Sequence, residues 1–443
     1  MHVDSVRAWI ETIETATALP HPAFVVQKSA EINECKVRRR FGDMPSPSKR
    51  PRREEEDDDV FGGTDATPTQ PQRSGSKSPS KRYRRMADLS ALRRPVMFEK
   101  VMDMKAKLPT DVHDLYDALA MASRGEEVLP AALADVPGVS RKDFRPYMWR
   151  EPVEVKSTVT SDAAGTASKP WNRSVAERHG RILKIIEESN ESGRWHRAEP
   201  AWNSDVHKPL LKELASSSSV RVENVTAARI VSAFRPSFKV PDSEDVPSTP
   251  TSSSFSDTGS MISVSESNAS QSWNKVGNSI HKMVDFALVL TPDKDLGALI
   301  DPIANSSPEA TINHTVYFAL KTRPSPVFIE TKTASGNIES ANVQLGIWIA
   351  AWHERMRSLM GPGSMERVIP VPIIQVVDGV WTLMFAVDGE DDKIHIFGQD
   401  MRIGNSGTIL GMYQLQAALS AISAWIEGNF KMWITRILRT AST

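Results

Sequence analysis

The stretch PVFIETKTASGNIESANVQLGIWIAAW, Pro326–Trp352, decides the fold. It opens on an apolar run, Val327-Phe328-Ile329, that continues into Glu330-Thr331-Lys332. Side chains on a strand alternate between faces, so Phe328, Glu330 and Lys332 share one. A carboxylate and an ammonium thus stand side by side at the end of a strand whose start reads as buried. After a turn at Gly336 the period changes. Leu345, Trp348, Ile349, Trp352, Met356 and Leu359 recur at the spacing of a single helix face. The spacing predicts a buried strand, a turn, and an amphipathic helix starting near Ile338. Gln344 sits at the edge of that helix's buried face, and helical side chains lean toward the N-terminus, back toward Lys332.

Outward from this core the chain supplies more strands. His281–Leu290 (HKMVDFALVL) reads as a strand with Asp285 in its middle. Val368–Val377, Val380–Val387 and Lys393–Phe397 read as three more, with Asp378-Gly379 as a hairpin turn between the first two. ARIVSAF, within Val222–Phe234, reads as a first strand. Thr291–Ser325 reads as a long connection. Helices are expected over about Ser174–Ser189, within Trp195–Leu214 (Ser204 or Asp205 as cap, Pro209 in its first turn), and over Thr408–Leu438. The implied fold is α/β: a small mixed sheet with helices on both faces, in an α-β-β-β-α-β order with additions.

Composition limits the rest. Hydrophobic residues are 40% of 443, and long stretches are rich in Ser, Pro, Arg and Asp. This predicts one sizeable folded domain, residues 171–443, with a polar Ser-rich insertion at about 243–272 too poor in apolar surface to order. Residues 87–156 read as accessory helices, 157–170 as a linker, and 1–86 as a mostly disordered tail with a short helix at Val3–Thr15. The formal net charge of −1 excludes a chain that binds nucleic acid as a general polycation, so such contact falls to local basic patches. Cys35 is the single cysteine, which excludes an intrachain disulfide and a cysteine zinc site. No apolar run reads as long enough to span a bilayer, and the N-terminus has no apolar signal core, so a membrane partner is not expected. In the tail, Pro47–Arg53 (PSKRPRR) has the proline-flanked basic character that an import receptor reads, which points to the nucleus, or otherwise to the cytoplasm.

Asp285, Glu330 and Lys332 are the charges that the apolar strands must accommodate. A buried ionised carboxylate costs several kcal/mol, of order ~5, unless it is paired or bound to metal. Two carboxylates at adjacent strand ends offer the hard oxygen ligands that Mg²⁺ prefers. Outside this context, an isolated Glu-x-Lys reads as an ion pair and nothing more.

At these residues the chain resembles the PD-(D/E)XK nuclease superfamily. Asp285 in VDFALVL matches the first acid, Glu330 and Lys332 in IETK match the (D/E)XK element, and Gln344 in QLGIW matches a glutamine on the following helix. Trp202-Asn203, Val206-His207 and QLGIW are similar to features of fungal proteins whose C-terminal domain is assigned to that superfamily. The resemblance runs from about Trp171 to the C-terminus. It implies a restriction-endonuclease-like core and a nuclease acting on DNA or RNA. It implies Mg²⁺ (or Mn²⁺) held by Asp285 and Glu330, with Lys332 serving the attacking water and Gln344 positioning it. Such sites often take an acid from the first helix, for which Glu199 and Glu213 are both candidates. His207 can occupy that helix's site position or be a packed histidine. The competing function is a catalytically silent nuclease fold that binds nucleic acid or protein.

Overall fold

The computed structural model describes residues 85–150, 170–215, 217–239, 284–307, 310–361, 364 and 366–441. The expected Val3–Thr15 helix, the Pro47–Arg53 cluster, nearly all of the 157–170 linker and the 243–272 insertion lie outside the described residues.

One seven-stranded mixed sheet carries the fold. Its strands are β1 (Val96–Lys100), β2 (Val220–Asn224), β3 (Phe286–Leu290), β4 (Val327–Lys332), β5 (Val371–Val377), β6 (Val380–Asp388) and β7 (Ile394–Asn405). Their order in space is β1-β7-β6-β5-β4-β3-β2. Among the described residues the α-helices are α1 (Met86–Ser90), α2 (His113–Arg124), α3 (Pro170–Arg194), α4 (Glu199–Ala201), α5 (Lys208–Leu214), α6 (Lys294–Ala304), α7 (Ile338–Met360), α8 (Ile409–Trp425) and α9 (Lys431–Ala441). β2, β3 and β4 form an antiparallel meander, and α7 carries the chain over to β5, parallel to β4. This is the expected α-β-β-β-α-β core. β3 and the first half of β4 are continuous apolar runs because both of their faces are covered; every residue from Phe286 to Leu290 and from Val327 to Thr331 is buried. The β5–β6 hairpin closes on Asp378 (φ +50°) and Gly379 (φ +75°). A two-residue turn of this hand needs positive φ at both positions, which Asp-Gly accepts readily. α7 packs its expected face inward, with Leu345, Trp348, Ile349 and Trp352 at 0% exposure. Gly346 on the same helix lets α1 approach closely. A Cβ there would lie 2.7 Å from Leu89 Cδ1.

Several expectations are corrected. Residues 87–156 are not helices alone: Val96–Lys100 is an edge strand running parallel to β7. Leu89, Leu92, Val96 and Val101 imitate a helix period, but Pro95 cannot sit inside a helix. Its carbonyl accepts the Ile394 N–H (2.8 Å) as the strand begins. The first meander strand is Val220–Asn224, not ARIVSAF, which forms one isolated bridge (Ile230 to Thr315) and a 3₁₀ turn, Ser232–Phe234. Asp285 immediately precedes β3 instead of lying in mid-strand. The Thr291–Ser325 connection contains α6, capped by Asp293, whose carboxylate accepts the Leu296 N–H at 2.9 Å. Trp381, on β6, is fully buried. Ile409–Thr440 is long and apolar enough to cross a membrane by length and composition. Gln414, Gln416 and Ser420 interrupt it, so it does not read as one unbroken apolar run. Leu415, Leu419, Ile422 and Ile434 spend its apolar face on the core.

Candidate active site

The site is built around the end of β4. Phe328 meets Trp348 of α7 edge-on, with ring centroids 5.9 Å apart, which fixes the face that Phe328, Glu330 and Lys332 share. Glu330 is fully buried and the Lys332 side chain is 11% exposed. Lys332 Nζ donates to Glu330 Oε1, to Glu199 Oε2 at 3.3 Å and to the Thr331 carbonyl at 2.9 Å. One ammonium thus ties a strand acid to an acid at the start of α4. Glu199 is therefore the first-helix acid that the structure brings to β4. Glu213, the other candidate, goes elsewhere: it takes Arg181 Nε and Nη2 at 2.8 and 2.9 Å and faces Arg178 at 3.6 Å.

The helix that supplies Glu199 also reaches Asp285. It starts at Glu199, earlier than a cap at Ser204 or Asp205 would place it, and continues through a π-turn, Trp202–His207, into α5. Pro209 explains the widening. It has no N–H to return to the Asp205 carbonyl, so the ladder loosens just before it. One turn beyond Glu199, Asn203 is 6% exposed and donates its amide to Asp285 Oδ1 at 3.1 Å. Asp285 Oδ2 accepts the Thr331 N–H at 2.9 Å and lies 2.8 Å from Thr331 Oγ1. That hydroxyl also reaches Asn203 Oδ1 at 2.8 Å, so its one proton is shared. Thr331 lies between Glu330 and Lys332 in β4, so its side chain points to the opposite face. The acids therefore wrap the end of β4 from two sides. Asp285 is gripped through Thr331 and Asn203, while Glu330 and Glu199 meet at Lys332.

His207 is fully buried between Trp202, nearly parallel at 5.5 Å, and Trp381, edge-on at 5.7 Å. Burial pushes its pKa down to about 3, against the pull of Glu199, so at neutral pH the imidazole is uncharged. Its surroundings are those of a packed histidine. Gln344 lies half-buried on the second turn of α7. Two residues earlier, Asn342 Oδ1 takes the Gln375 amide at 3.0 Å, and Gln375 stands beside Glu330 in the β4–β5 register.

Asn203, Thr331, Asn342 and Gln375 are the polar neighbours that reading the sequence missed. For Gln375 a signal existed: a lone amide inside the apolar run IIQVV. Asn203 carried a weaker one, an asparagine inside a helix where it has low propensity.

Among the described residues, no group of three or more His, Cys, Asp or Glu side chains is arranged to hold a metal ion. The donor set still suits a small hard cation. Asp285 and Glu330 are fully buried carboxylates, Glu199 is a third, and no sulfur is among them. Mg²⁺ commonly takes one or two protein carboxylates and completes its shell with water and phosphate.

A meander of three strands, the third ending in Glu-x-Lys, then a crossover helix and a parallel fourth strand define a restriction-endonuclease-like class of protein. A family model described as the PD-(D/E)XK nuclease superfamily matches residues 148–431, more than half of the chain, and the chain belongs to that superfamily. No curated protein and no solved structure matches it.

Proposed function

We propose that the chain is a Mg²⁺- or Mn²⁺-dependent nuclease that hydrolyses phosphodiesters of DNA or RNA. The observation that carries this reading is the Glu199–Lys332–Glu330 cluster at the end of β4, in a chain of the PD-(D/E)XK superfamily, whose nucleases typically use divalent metals. In this reading Glu330 would hold the ion, joined by Asp285 once its carboxylate turns from Thr331 and Asn203 toward the Glu330 side of β4. When bound, it supplies Lewis-acid polarisation of a phosphoryl oxygen. Lys332 orients the attacking water and neutralises charge that grows on the phosphorus oxygens as the water adds. Glu199 and Glu330 fix the ammonium for that task. Asn203 and Thr331 hold the Asp285 carboxylate before that turn, and Gln344 positions the water from α7, its uncharged amide able to donate and accept at once.

A second reading has one observation in its favour. Asp285 is committed to Thr331 and Asn203, as a purely structural acid would be, which suits a catalytically silent module that binds nucleic acid or protein. Incubating single- and double-stranded DNA and RNA with the protein in Mg²⁺ or Mn²⁺, beside Lys332→Ala and Gln344→Ala, tests both. Metal-dependent cleavage that fails in Lys332→Ala and drops at least tenfold in Gln344→Ala supports the nuclease. Binding of any of these strands with cleavage of none supports the silent module.

A further inference from the structure

We propose that Trp195 is a stacking platform for an unpaired nucleobase of the strand held at the site; this deepens the nuclease reading and rests on it. Trp195 is 64% exposed, although the tryptophans of the core are buried. It is the C-terminal cap of α3, four residues before Glu199, so the two Cα atoms are no more than about 14 Å apart along the chain. That is a reach of two or three nucleotides from the acid that touches Lys332.

The loop holding it is stiff. The Arg197 N–H returns to the Ser192 carbonyl at 3.0 Å and the His196 N–H to the Gly193 carbonyl at 3.2 Å. Together these make a Schellman closure. Its left-handed position falls to His196, with φ +46°, where glycine is the usual residue. Arg197 secures the loop from the side through Glu188 (3.0 Å), Glu191 (2.6 Å) and Asp205 (3.9 Å), and these contacts offset the acids nearest the loop. An exposed indole on a mobile loop loses entropy when it stacks. Here the chain has already been fixed.

The ring's surroundings select its occupant. The Arg194 guanidinium lies over the Trp195 ring, 5.4 Å from the centroid. A cation on one face leaves the other for a flat ligand, and the same guanidinium can meet that ligand's phosphate. A base in a duplex is covered on both faces, so this platform takes single-stranded segments or frayed ends.

The test is anisotropy of fluorescein-labelled single-stranded DNA and RNA, and of the matching duplexes, titrated with full-length protein in Ca²⁺. The variants are Trp195→Ala, Trp195→Phe and Trp195→Leu. Alanine and leucine should weaken single-strand binding roughly 5- to 150-fold, the range a single stacked base carries, while phenylalanine keeps most of it and duplex binding shifts less. All three variants should melt with the parent, since the indole is outside the core. A parent that binds single strands, with alanine and leucine variants that bind equally well, overturns the platform and leaves the nuclease reading standing. A leucine variant as tight as phenylalanine also overturns it, since bulk and not a π-face would then be what matters. A parent that binds no nucleic acid in any form overturns the reading underneath.

Discussion

Replacing Asp285 with alanine should cost stability as well as chemistry. The carboxylate is fully buried and is the acceptor for the Thr331 N–H and for the Asn203 amide. The Thr331 hydroxyl can fall back on Asn203 Oδ1, but the other two donors lose their acceptor in the protein interior. Each buried donor so orphaned costs about 1–3 kcal/mol, giving roughly 2–6 kcal/mol in all. Against a typical folding stability of about 5–15 kcal/mol, this is a large share. Asp285→Asn should behave differently. Its carbonyl can take the Thr331 N–H and hydroxyl, and a flip of the Asn203 amide turns an oxygen toward the new amide and an N–H toward Thr331 Oγ1. Every polar atom of the triangle is then served, and the loss should stay near about 1 kcal/mol. Urea unfolding of the parent and both variants reads the difference as a shift in midpoint at constant slope. An alanine variant as stable as the parent, or an asparagine variant as damaged as the alanine one, refutes this reasoning. If it holds, Asp285→Asn is the variant with which to probe the site.

Lys332→Ala takes the ammonium from a fully buried carboxylate, so thermal unfolding should show a loss of about 3 kcal/mol or more, and an unchanged melting temperature would contradict the buried pair. Burial pushes His207 and His314 down to about 3 and His353 to about 4. The unfolded chain takes up these protons below about 6.5 and the native state does not, so stability is full above that pH and falls as the pH drops toward 4, by about 1.4 kcal/mol per unit for each histidine. Urea midpoints across this range should decline steadily, and flat midpoints would show that these rings are not neutral in the fold. For Pro47–Arg53, alanine at Lys49, Arg50, Arg52 and Arg53 should shift a tagged protein toward the cytoplasm, and unchanged nuclear accumulation would show the cluster is dispensable.

The period change within Pro326–Trp352 was legible because burial enforces it: β4 and α7 fall where the alternation and the helical stripe place them. Val96–Lys100 was not, since an edge strand of five residues imposes little pattern and its apolar spacing happened to match a helix. The site was readable where a charge interrupts an apolar run, as Glu330 and Lys332 do. The tie of Asn203 to the site was hidden because its partners, Asp285 and Thr331, are 82 and 128 residues away in sequence. The choice of Glu199 over Glu213 depended on helix rotation and on Pro209, which widens the ladder by a π-turn. No spacing rule registers that.

The central claim is that Asp285 and Glu330 share a divalent cation, and isothermal titration calorimetry tests it without any substrate. Mg²⁺ and Mn²⁺ are titrated into the parent, Asp285→Asn and Glu330→Gln, each first shown to be folded by its unfolding midpoint. A metal-binding nuclease site requires binding in the parent that either substitution abolishes. A folded parent that takes up neither ion, or binding that survives both substitutions, contradicts it.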